Sequence, residues 1–225
     1  MNTTAHGGTP PKLLLPFDLA ALDVSPIRTA RLVLRPIRAR DADDIHAYQR
    51  LPEVVAYLPW PLRDREASHE HTELRTKQRA LAADGDGVAL AIVLPGEPGI
   101  GGGGEGRVIG DLTLILTSAA HAQVAVGWVL HPDFQGQGYA REAATALLDL
   151  ATGLGAHRIA ASVDTANEPS QALCERLGLR KEATFHHDRH DGTGWRDTVI
   201  YALTDAEWLA RRTPGADTTA PPGAH

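Results

Sequence analysis

The sequence predicts an α+β fold in which helices flank a mixed β-sheet. The chain has 225 residues, of which 43% are hydrophobic and 22% are charged, and this composition suits one compact domain with short tails. Residues 31–37, RLVLRPI, alternate between polar and apolar residues like a strand, and further strand segments follow in the middle of the chain. Helical and strand patterns then alternate towards the C terminus, which completes the α+β pattern.

The order of the elements follows from periodicity and from the residues that begin or end helices. Asp41 suits the start of a short amphipathic helix that ends at Arg50. The segment YLPWP at residues 57–61 separates this helix from a second one. A glycine-rich loop at residues 95–106 joins two strands into a hairpin. The predicted strands cover residues 31–37, 88–94, 107–117, 122–130 and 157–163 and a final pair ending at Leu203, and the predicted helices cover residues 41–50, 65–83, 138–152 and 170–177.

Both ends are predicted to lie outside the folded domain. Residues 1–26 contain a glycine pair and several prolines, which predicts a loosely ordered lead-in with at most one helical turn. Residues 210–225 have almost no apolar surface to bury, which predicts a disordered tail. The folded domain is therefore expected over residues 27–209.

Charge, cysteine content and the lack of a long apolar run indicate which partners and which compartment to expect. The formal net charge is -6 and basic residues form no cluster, so nucleic acid is not an expected partner. The single cysteine, Cys174, excludes an intramolecular disulfide and fits a reducing compartment, so we expect a cytoplasmic protein. The apolar run at residues 13–15 is interrupted by Pro16 and Asp18, so no membrane partner is expected.

The glycine-rich loop imitates a dinucleotide-binding motif. Gly99, Gly101 and Gly104 have the spacing of that fingerprint. A dinucleotide loop opens a helix, whereas this one runs into the strand that contains Val108 and Ile109. The sequence therefore favours a hairpin tip over a nucleotide site.

A second glycine loop has the features of a phosphate site. The segment VGWVLHPDFQGQGYAREAA at residues 126–144 reads as a strand, a small-residue loop and a helix. Gly136 and Gly138 allow close approach of a ligand, and the amides at the helix start favour an anion. No Lys followed by Ser or Thr accompanies the loop, which argues against nucleotide hydrolysis. The alternative is a plain strand-turn-helix connection.

Residues 135–140, QGQGYA, match the acetyl-CoA signature Q/R-x-x-G-x-G/A, and the chain resembles the GNAT superfamily of N-acetyltransferases. Flanking segments, including NEPS at residues 167–170 and ERLG at residues 175–178, are similar to the Rim-type branch, which acetylates ribosomal-protein alanines. The resemblance covers residues 27–209. It implies a three-layer fold whose central sheet is mostly antiparallel and splays between the fourth and fifth strands. It also implies an acetyl-CoA-dependent transfer to a primary amine by direct attack, with coenzyme A as product.

The resemblance also assigns cofactor-binding residues. The main chain of Trp128, Val129 and Leu130 would pair with pantetheine, and Asn167 and Ser170 would reach the cofactor from the opposite wall. Asn167 has the alternative role of a simple helix cap. The pyrophosphate would bind the loop formed by Gln135, Gly136, Gln137, Gly138, Tyr139 and Ala140.

Candidate catalytic residues also come from the resemblance. Ser170 matches the position of the general acid in Rim-type enzymes, or else it faces solvent in a first helical turn. Cys174 stands where many GNAT enzymes have a tyrosine, and as a catalytic candidate it competes with a packing role, which we favour. Ala125 replaces the usual strand acid, so the general base is expected at Asp188, then His187 or His131, or in a water chain. The nearby histidines read as a polar hairpin, and no metal site is expected.

The acceptor is the least defined part of the prediction. Tyr57, Trp60 and Trp195 line the acceptor pocket or are ordinary core aromatics. A protein N-terminal amine is the first expectation, and an aminoglycoside, a polyamine or an amino acid derivative is the alternative. Because Ala125 and Cys174 depart from the family pattern, a non-catalytic acyl-CoA-binding regulatory module is a further alternative. A homodimer is expected by analogy alone.

Overall fold

A computed structural model describes residues 11–100 and 105–212 of the chain. Two 3₁₀ turns cover Ala39–Asp41 and Pro132–Phe134. The strands are Phe17–Asp18 (β1), Ile27–Arg28 (β2), Val33–Pro36 (β3), Ala80–Leu81 (β4), Gly87–Leu94 (β5), Arg107–Ser118 (β6), Gln123–Leu130 (β7), Arg158–Asp164 (β8), Arg180–His190 (β9) and Trp195–Thr204 (β10). The helices are Ala20–Val24 (α1), Ala42–Gln49 (α2), Pro52–Val55 (α3), Arg65–Lys77 (α4), Tyr139–Gly153 (α5), Glu168–Leu177 (α6) and Asp205–Arg212 (α7).

Eight of these strands form one central sheet in the order β2-β3-β5-β6-β7-β8-β10-β9. Its neighbouring strands pair antiparallel, except that β7 and β8 run parallel. Strands β1 and β4 form a separate two-stranded sheet. The prediction of a mixed, mostly antiparallel sheet is confirmed.

Apolar residues cover both faces of the sheet, which gives the three layers. On one face, Leu147 of α5 and Leu173 of α6 belong to the larger core cluster, together with Leu22 of α1. On the other face, Ile45 and Tyr48 of α2 belong to a smaller cluster with alternate residues of β5 and with Val108 of β6. The period-2 alternation of the strands is what separates these two clusters. Within residues 11–100 and 105–212, no helix is both long enough and apolar enough to cross a membrane.

Helix α4, predicted over residues 65–83, is shorter than the sequence predicts. It begins as expected, with the Asp64 carboxylate accepting a hydrogen bond from the Ala67 amide at 2.9 Å, but it ends at Lys77 rather than residue 83. Ala80–Leu81 instead forms β4 against Phe17–Asp18, and Leu81 is buried. Tertiary pairing with a distant segment therefore overrides the local helical pattern.

The segment before residue 27 also differs from the expected loosely ordered lead-in. Leu13, Leu19 and Leu22 are buried in the larger core cluster, and the Leu14 amide donates to the Leu154 carbonyl at 2.8 Å. Residues 11–26 are therefore packed against the domain. The first ten residues of the predicted lead-in lie outside the described residues.

Two other predictions fall partly outside the description. Residues 213–225 of the predicted tail are not described, whereas residues 210–212 form the end of α7. Gly101 and Gly104 of the first glycine loop are likewise outside the described residues. The loop leads directly into β6, which pairs antiparallel with β5, so the predicted hairpin is confirmed and the dinucleotide interpretation has no helix to support it.

Candidate active site

The parallel strands β7 and β8 separate after a short ladder. Their pairing begins at Gln123 and Arg158 and ends where Ala125 faces Ala160. Beyond that point β8 pairs with β10 and β7 pairs with β6. The edge of residues 126–130 therefore faces an opening in the sheet, which confirms the splay between the fourth and fifth predicted strands.

A cavity of about 640 Å³ occupies this opening. Strand β7 and the loop after it form one wall, the start of α6 forms the opposite wall, and α3 with the turn after it forms a third. Of the predicted cofactor-binding residues, all but Gln137 lie on the lining. The lining residues are Glu53, Val54, Tyr57, Leu58, Trp128, Val129, Leu130, Pro132, Phe134, Gln135, Gly136, Gly138, Tyr139, Ala140, Arg141, Asn167, Pro169, Ser170, Leu173 and Arg176.

The second glycine loop presents its backbone to this cavity. Gly136 has φ +74° and Gly138, the residue that caps α5, has φ +83°, a region that residues with a Cβ rarely adopt. A Cβ built at Gly136 would meet no protein atom within 4 Å. The loop can therefore hold an anion with backbone amides at the start of a 15-residue helix.

The two glutamines of the loop brace it from within. The Gln135 carboxamide donates to the Leu130 carbonyl at 3.1 Å, and the Gln137 carboxamide donates to the Asp133 carbonyl at 3.1 Å. Both side chains thereby fix the turn between β7 and α5. Gln135 also lines the cavity, whereas Gln137 does not.

Arg31 supports the same loop from outside. Its guanidinium donates to the Gln137 carbonyl at 2.9 Å, lies 4.4 Å from the centroid of the Tyr139 ring and pairs with Glu142 at 2.7 Å. Burial opposes ionisation of Glu142, but hydrogen bonds from Thr29 and Arg31 outweigh it and lower its pKa. Sequence reasoning noted the segments that contain Arg31 and Glu142 but gave neither residue a role.

Ser170 lies where the two walls of the cavity meet. Its hydroxyl oxygen accepts a hydrogen bond from the Trp128 indole Nε1 at 3.3 Å. Its backbone amide donates to the Asn167 side chain at 3.1 Å, so Asn167 caps α6 and lines the cavity as well. Ser170 is therefore turned to the cavity rather than to bulk solvent.

Cys174 is not placed for catalysis, which corrects its assignment as a catalytic candidate. The side chain is fully buried in the larger core cluster and does not line the cavity. Burial raises the pKa of its thiol to about 12, so the group stays protonated at neutral pH. The packing role favoured by the sequence is the one the structure supports.

The candidate general bases lie away from the cavity lining. Asp188 is exposed on β9, and His187, with φ +51°, donates its backbone amide to Asp197. His131 is buried edge-on to Phe134, and burial lowers its pKa. The structure therefore brings none of these three side chains to the wall formed by Ser170.

The predicted acceptor-site aromatics separate into three environments. Tyr57 lines the cavity. Trp60 packs against the smaller core cluster, which also contains Val129, so it lies beside the cavity rather than on its wall. Trp195 is 62% exposed and packs edge-on against His190 in the β9-β10 hairpin.

A part-buried ion pair that the sequence did not reveal connects the end of β8 to β9. Asp164, the last residue of β8, accepts a hydrogen bond from Arg189 of β9 at 2.8 Å. The same guanidinium reaches the Leu58 carbonyl at 3.5 Å, on the turn that forms the third wall. No local pattern marks either residue, because the pair exists only once β8 and β9 share a sheet.

A second groove lies apart from this cavity. A more open groove of about 720 Å³ lies between α5 and the β2-β3 turn, and it shares only Gly138 and Arg141 with the cavity. In the part of the chain that the structure describes, no group of three or more His, Cys, Asp or Glu side chains is arranged to hold a metal ion.

Comparison with known proteins identifies the class of protein. Residues 31–180 match the family model of the acetyltransferase (GNAT) domain, so the chain belongs to the GNAT family of acetyltransferases. It is 28% identical over 183 residues to YnaD, an uncharacterized N-acetyltransferase of Bacillus subtilis, a match that covers 81% of this chain and 98% of YnaD.

Solved structures agree with this family. A GNAT acetyltransferase from Bacillus anthracis superposes with a TM-score of 0.68 at 25% identity, covering 81% of this chain and 99% of that one. The alpha-N-protein acetyltransferase RimL in complex with coenzyme A gives 0.63 at 16% identity, covering 78% and 95%. Spermidine N-acetyltransferase from Vibrio cholerae, in complex with CoA and spermine, gives 0.65 at 20% identity, covering 80% and 99%. The last two show the fold alone.

Proposed function

We propose that this chain transfers the acetyl group of acetyl-CoA to a primary amine by direct attack. The observation that carries the proposal is the opening between β7 and β8, which ends at the left-handed Gly136 and Gly138 and is bordered by Ser170. Its shape suits a long ligand with an anionic centre at the helix start and a reactive end at Ser170. RimL and the spermidine acetyltransferase, both named as CoA complexes, share this fold.

Each wall then has a chemical task. Acetyl-CoA supplies an activated thioester, whose C–S bond breaks as the C–N bond to the amine forms. The backbone amide near Val129 donates to the developing oxyanion. The Ser170 hydroxyl delivers a proton to the departing sulfur, so coenzyme A leaves as the thiol. The amine loses one proton to solvent water, and solvent returns one proton to Ser170.

A protein N-terminal amine is our first choice of acceptor, following the Rim-type features of residues 167–178. An α-amino group has a pKa of about 7.7–8.0, so a useful fraction is neutral near pH 7.5 without a strong base. Because Asp188 lies away from the cavity lining, we assign proton removal to solvent water. A polyamine or another small amine is the alternative acceptor, supported by the spermidine acetyltransferase of the same fold.

Thiol release from acetyl-CoA with a panel of amines tests the proposal, alongside calorimetric binding of coenzyme A. The expected result is tight binding and turnover with one class of amine. Binding without turnover of any amine would instead support a regulatory acyl-CoA-binding module, which the Ala125 and Cys174 positions favour. If coenzyme A does not bind, both the acetyltransferase and the regulatory module are excluded.

A further inference from the structure

Two buried N–H donors beside the cavity lack a protein acceptor. The indole Nε1 of Trp60 and one terminal nitrogen of Arg63, Nη1, are both buried, and neither has a hydrogen-bond partner among the described residues. The central carbon of the Arg63 guanidinium lies 5.5 Å from the centroid of the Trp60 ring, so the two side chains are neighbours. Buried donors of this kind are rare in folded proteins, and a ligand is one means of satisfying them.

The carboxylate of Asp111, which interacts electrostatically with Arg63, is already engaged. Asp111 accepts a hydrogen bond from the Tyr48 hydroxyl at 2.5 Å through one oxygen and from Arg75 at 2.6 Å through the other. The His71 ring lies tilted beside the Trp60 ring, with the centroids 6.3 Å apart. Burial lowers the pKa of His71 to about 4, so its ring is neutral at neutral pH. Two guanidinium groups and one carboxylate leave one positive charge in excess.

This cluster lies next to the reactive end of the cavity. Asp111 of β6 is directly opposite Val129 of β7, and Val129 lines the cavity. Tyr57 and Leu58 also line it, so the segment that continues to Trp60 and Arg63 leads from the cavity wall to the two donors. A group that extends from an acceptor at Val129 towards this segment would approach the side chains of Trp60 and Arg63, which lie behind the cavity wall.

We propose that the acceptor carries a carboxylate that binds between the Trp60 indole N–H and the Arg63 guanidinium. One carboxylate accepts two N–H donors and neutralises one excess positive charge, whereas a phosphate would bring about −1.5 to −2. The substrate class is therefore an amine that also bears an acid, such as an amino acid derivative or a peptide whose first residues are acidic. This inference rests on the proposed function and specifies its substrate.

Matched amines test the inference in the wild-type protein. The series pairs ω-amino acids of increasing chain length with their amides, and N-terminal peptides that begin with an acidic residue with the corresponding amide peptides. We expect kcat/KM at least tenfold higher for the best acid than for its amide. Equal values across every pair would overturn the inference while leaving the acetyltransferase intact.

Substitutions of the two donors test whether they cause the preference for the acid over the amide. Trp60→Phe removes the N–H and keeps a ring, and Arg63→Met removes the charge. Each should raise KM for the acid about tenfold, leave KM for the amide within about twofold and leave coenzyme A affinity unchanged. Arg65→Met, an exposed arginine of α4 that pairs with Asp43, is the matched control and should keep full discrimination. If both test variants still prefer the acid over the amide, the assignment of the carboxylate site to Trp60 and Arg63 would be overturned.

Measuring the affinity of the acid and of the amide tests the carboxylate site without relying on turnover. Acid and amide are titrated by calorimetry into protein saturated with coenzyme A, and we expect the acid to bind at least tenfold more tightly. If no amine is acetylated but the acid still binds preferentially, the proposed function fails and the carboxylate site stands. Equal binding of acid and amide overturns the site whether or not turnover occurs.

Discussion

The Trp128 indole donates a hydrogen bond to the Ser170 hydroxyl across 3.3 Å. Trp128 belongs to β7 and Ser170 to the first turn of α6, so this bond spans the opening between the two separated strands. Because the hydroxyl oxygen accepts from the indole, its own proton remains available to a ligand in the cavity.

Ser170→Ala should lower kcat by roughly 10²-fold, since it removes the proton donor proposed for the leaving sulfur. The Kd for coenzyme A should change by less than about threefold, because the remaining contacts are retained. Steady-state kinetics and calorimetry measure the two quantities. Trp128→Phe is the control, since it removes the hydrogen bond but keeps the hydroxyl, and its kcat should fall much less. An unchanged kcat in Ser170→Ala would exclude Ser170 as the acid.

Gly136→Ala should weaken coenzyme A binding by at least about tenfold. The new methyl group would meet no protein atom, so the losses come from the left-handed backbone and from the ligand that must approach it. Gly192→Ala is a matched control, because Gly192 has φ +95° with equally open surroundings in the β9-β10 turn. Both variants should lose about 1–2 kcal/mol of unfolding free energy. Equal affinities in the two variants would contradict the assigned role of the loop.

Cys174 should make the stability of the domain fall at alkaline pH. Burial raises its pKa from 9.0 to about 12, so the folded state keeps a proton that the unfolded chain releases. The stabilising contribution is complete below about pH 9 and is lost as pH rises towards 12, with a slope of up to about 1.4 kcal/mol per pH unit.

Urea unfolding of the wild type and Cys174→Ala at several pH values measures this slope. The wild type should lose stability more steeply above about pH 9 than the variant. Acetyl transfer by Cys174→Ala should stay within about twofold of wild type, because the thiol does not line the cavity. A large loss of activity in a stably folded variant would restore Cys174 as a catalytic candidate.

Asp111→Asn should destabilise the fold by about 3–5 kcal/mol, since it leaves the buried Arg75 guanidinium without a charged partner. Asp43→Asn is the surface counterpart, because Asp43 pairs with the exposed Arg65, and it should cost about 0–1 kcal/mol. Thermal unfolding monitored by circular dichroism measures both. Similar midpoints for the two variants would show that the Asp111 cluster contributes little to stability.

Local signals explain how much of the fold could be predicted. The strand patterns of residues 88–94 and 107–117 and the cap at Asn167 depend on neighbouring residues, so the sequence revealed them. The end of α4 at Lys77 depends on pairing between Ala80–Leu81 and Phe17–Asp18, which no local pattern encodes. The same holds for the three buried leucines at the start of the described chain.

In the candidate site too, the residues that are contiguous in sequence could be predicted, and those brought together by folding could not. The glycine loop is contiguous in sequence, so all its members could be named, and Ser170 followed from a motif four residues long. Asp164 and Arg189 come together through the sheet, and Asp111 meets Tyr48 and Arg75 through the packing of α2 and α4 on β6. Asp188 was predicted as the general base from its chain position alone. That position did not reveal that the β9-β10 hairpin exposes its side chain to solvent.

The sheet order has a consequence for synthesis on the ribosome. Strand β10, the last in the chain, is inserted between β8 and β9, so β8 has only the short ladder with β7 until residues 195–204 emerge. The N-terminal half can pair earlier, since β3, β5, β6 and β7 are neighbours made in that order. One wall of the cavity is thus fixed only after residues 195–204 have been made, and a nascent chain halted before that point would present the glycine loop without the opposing wall.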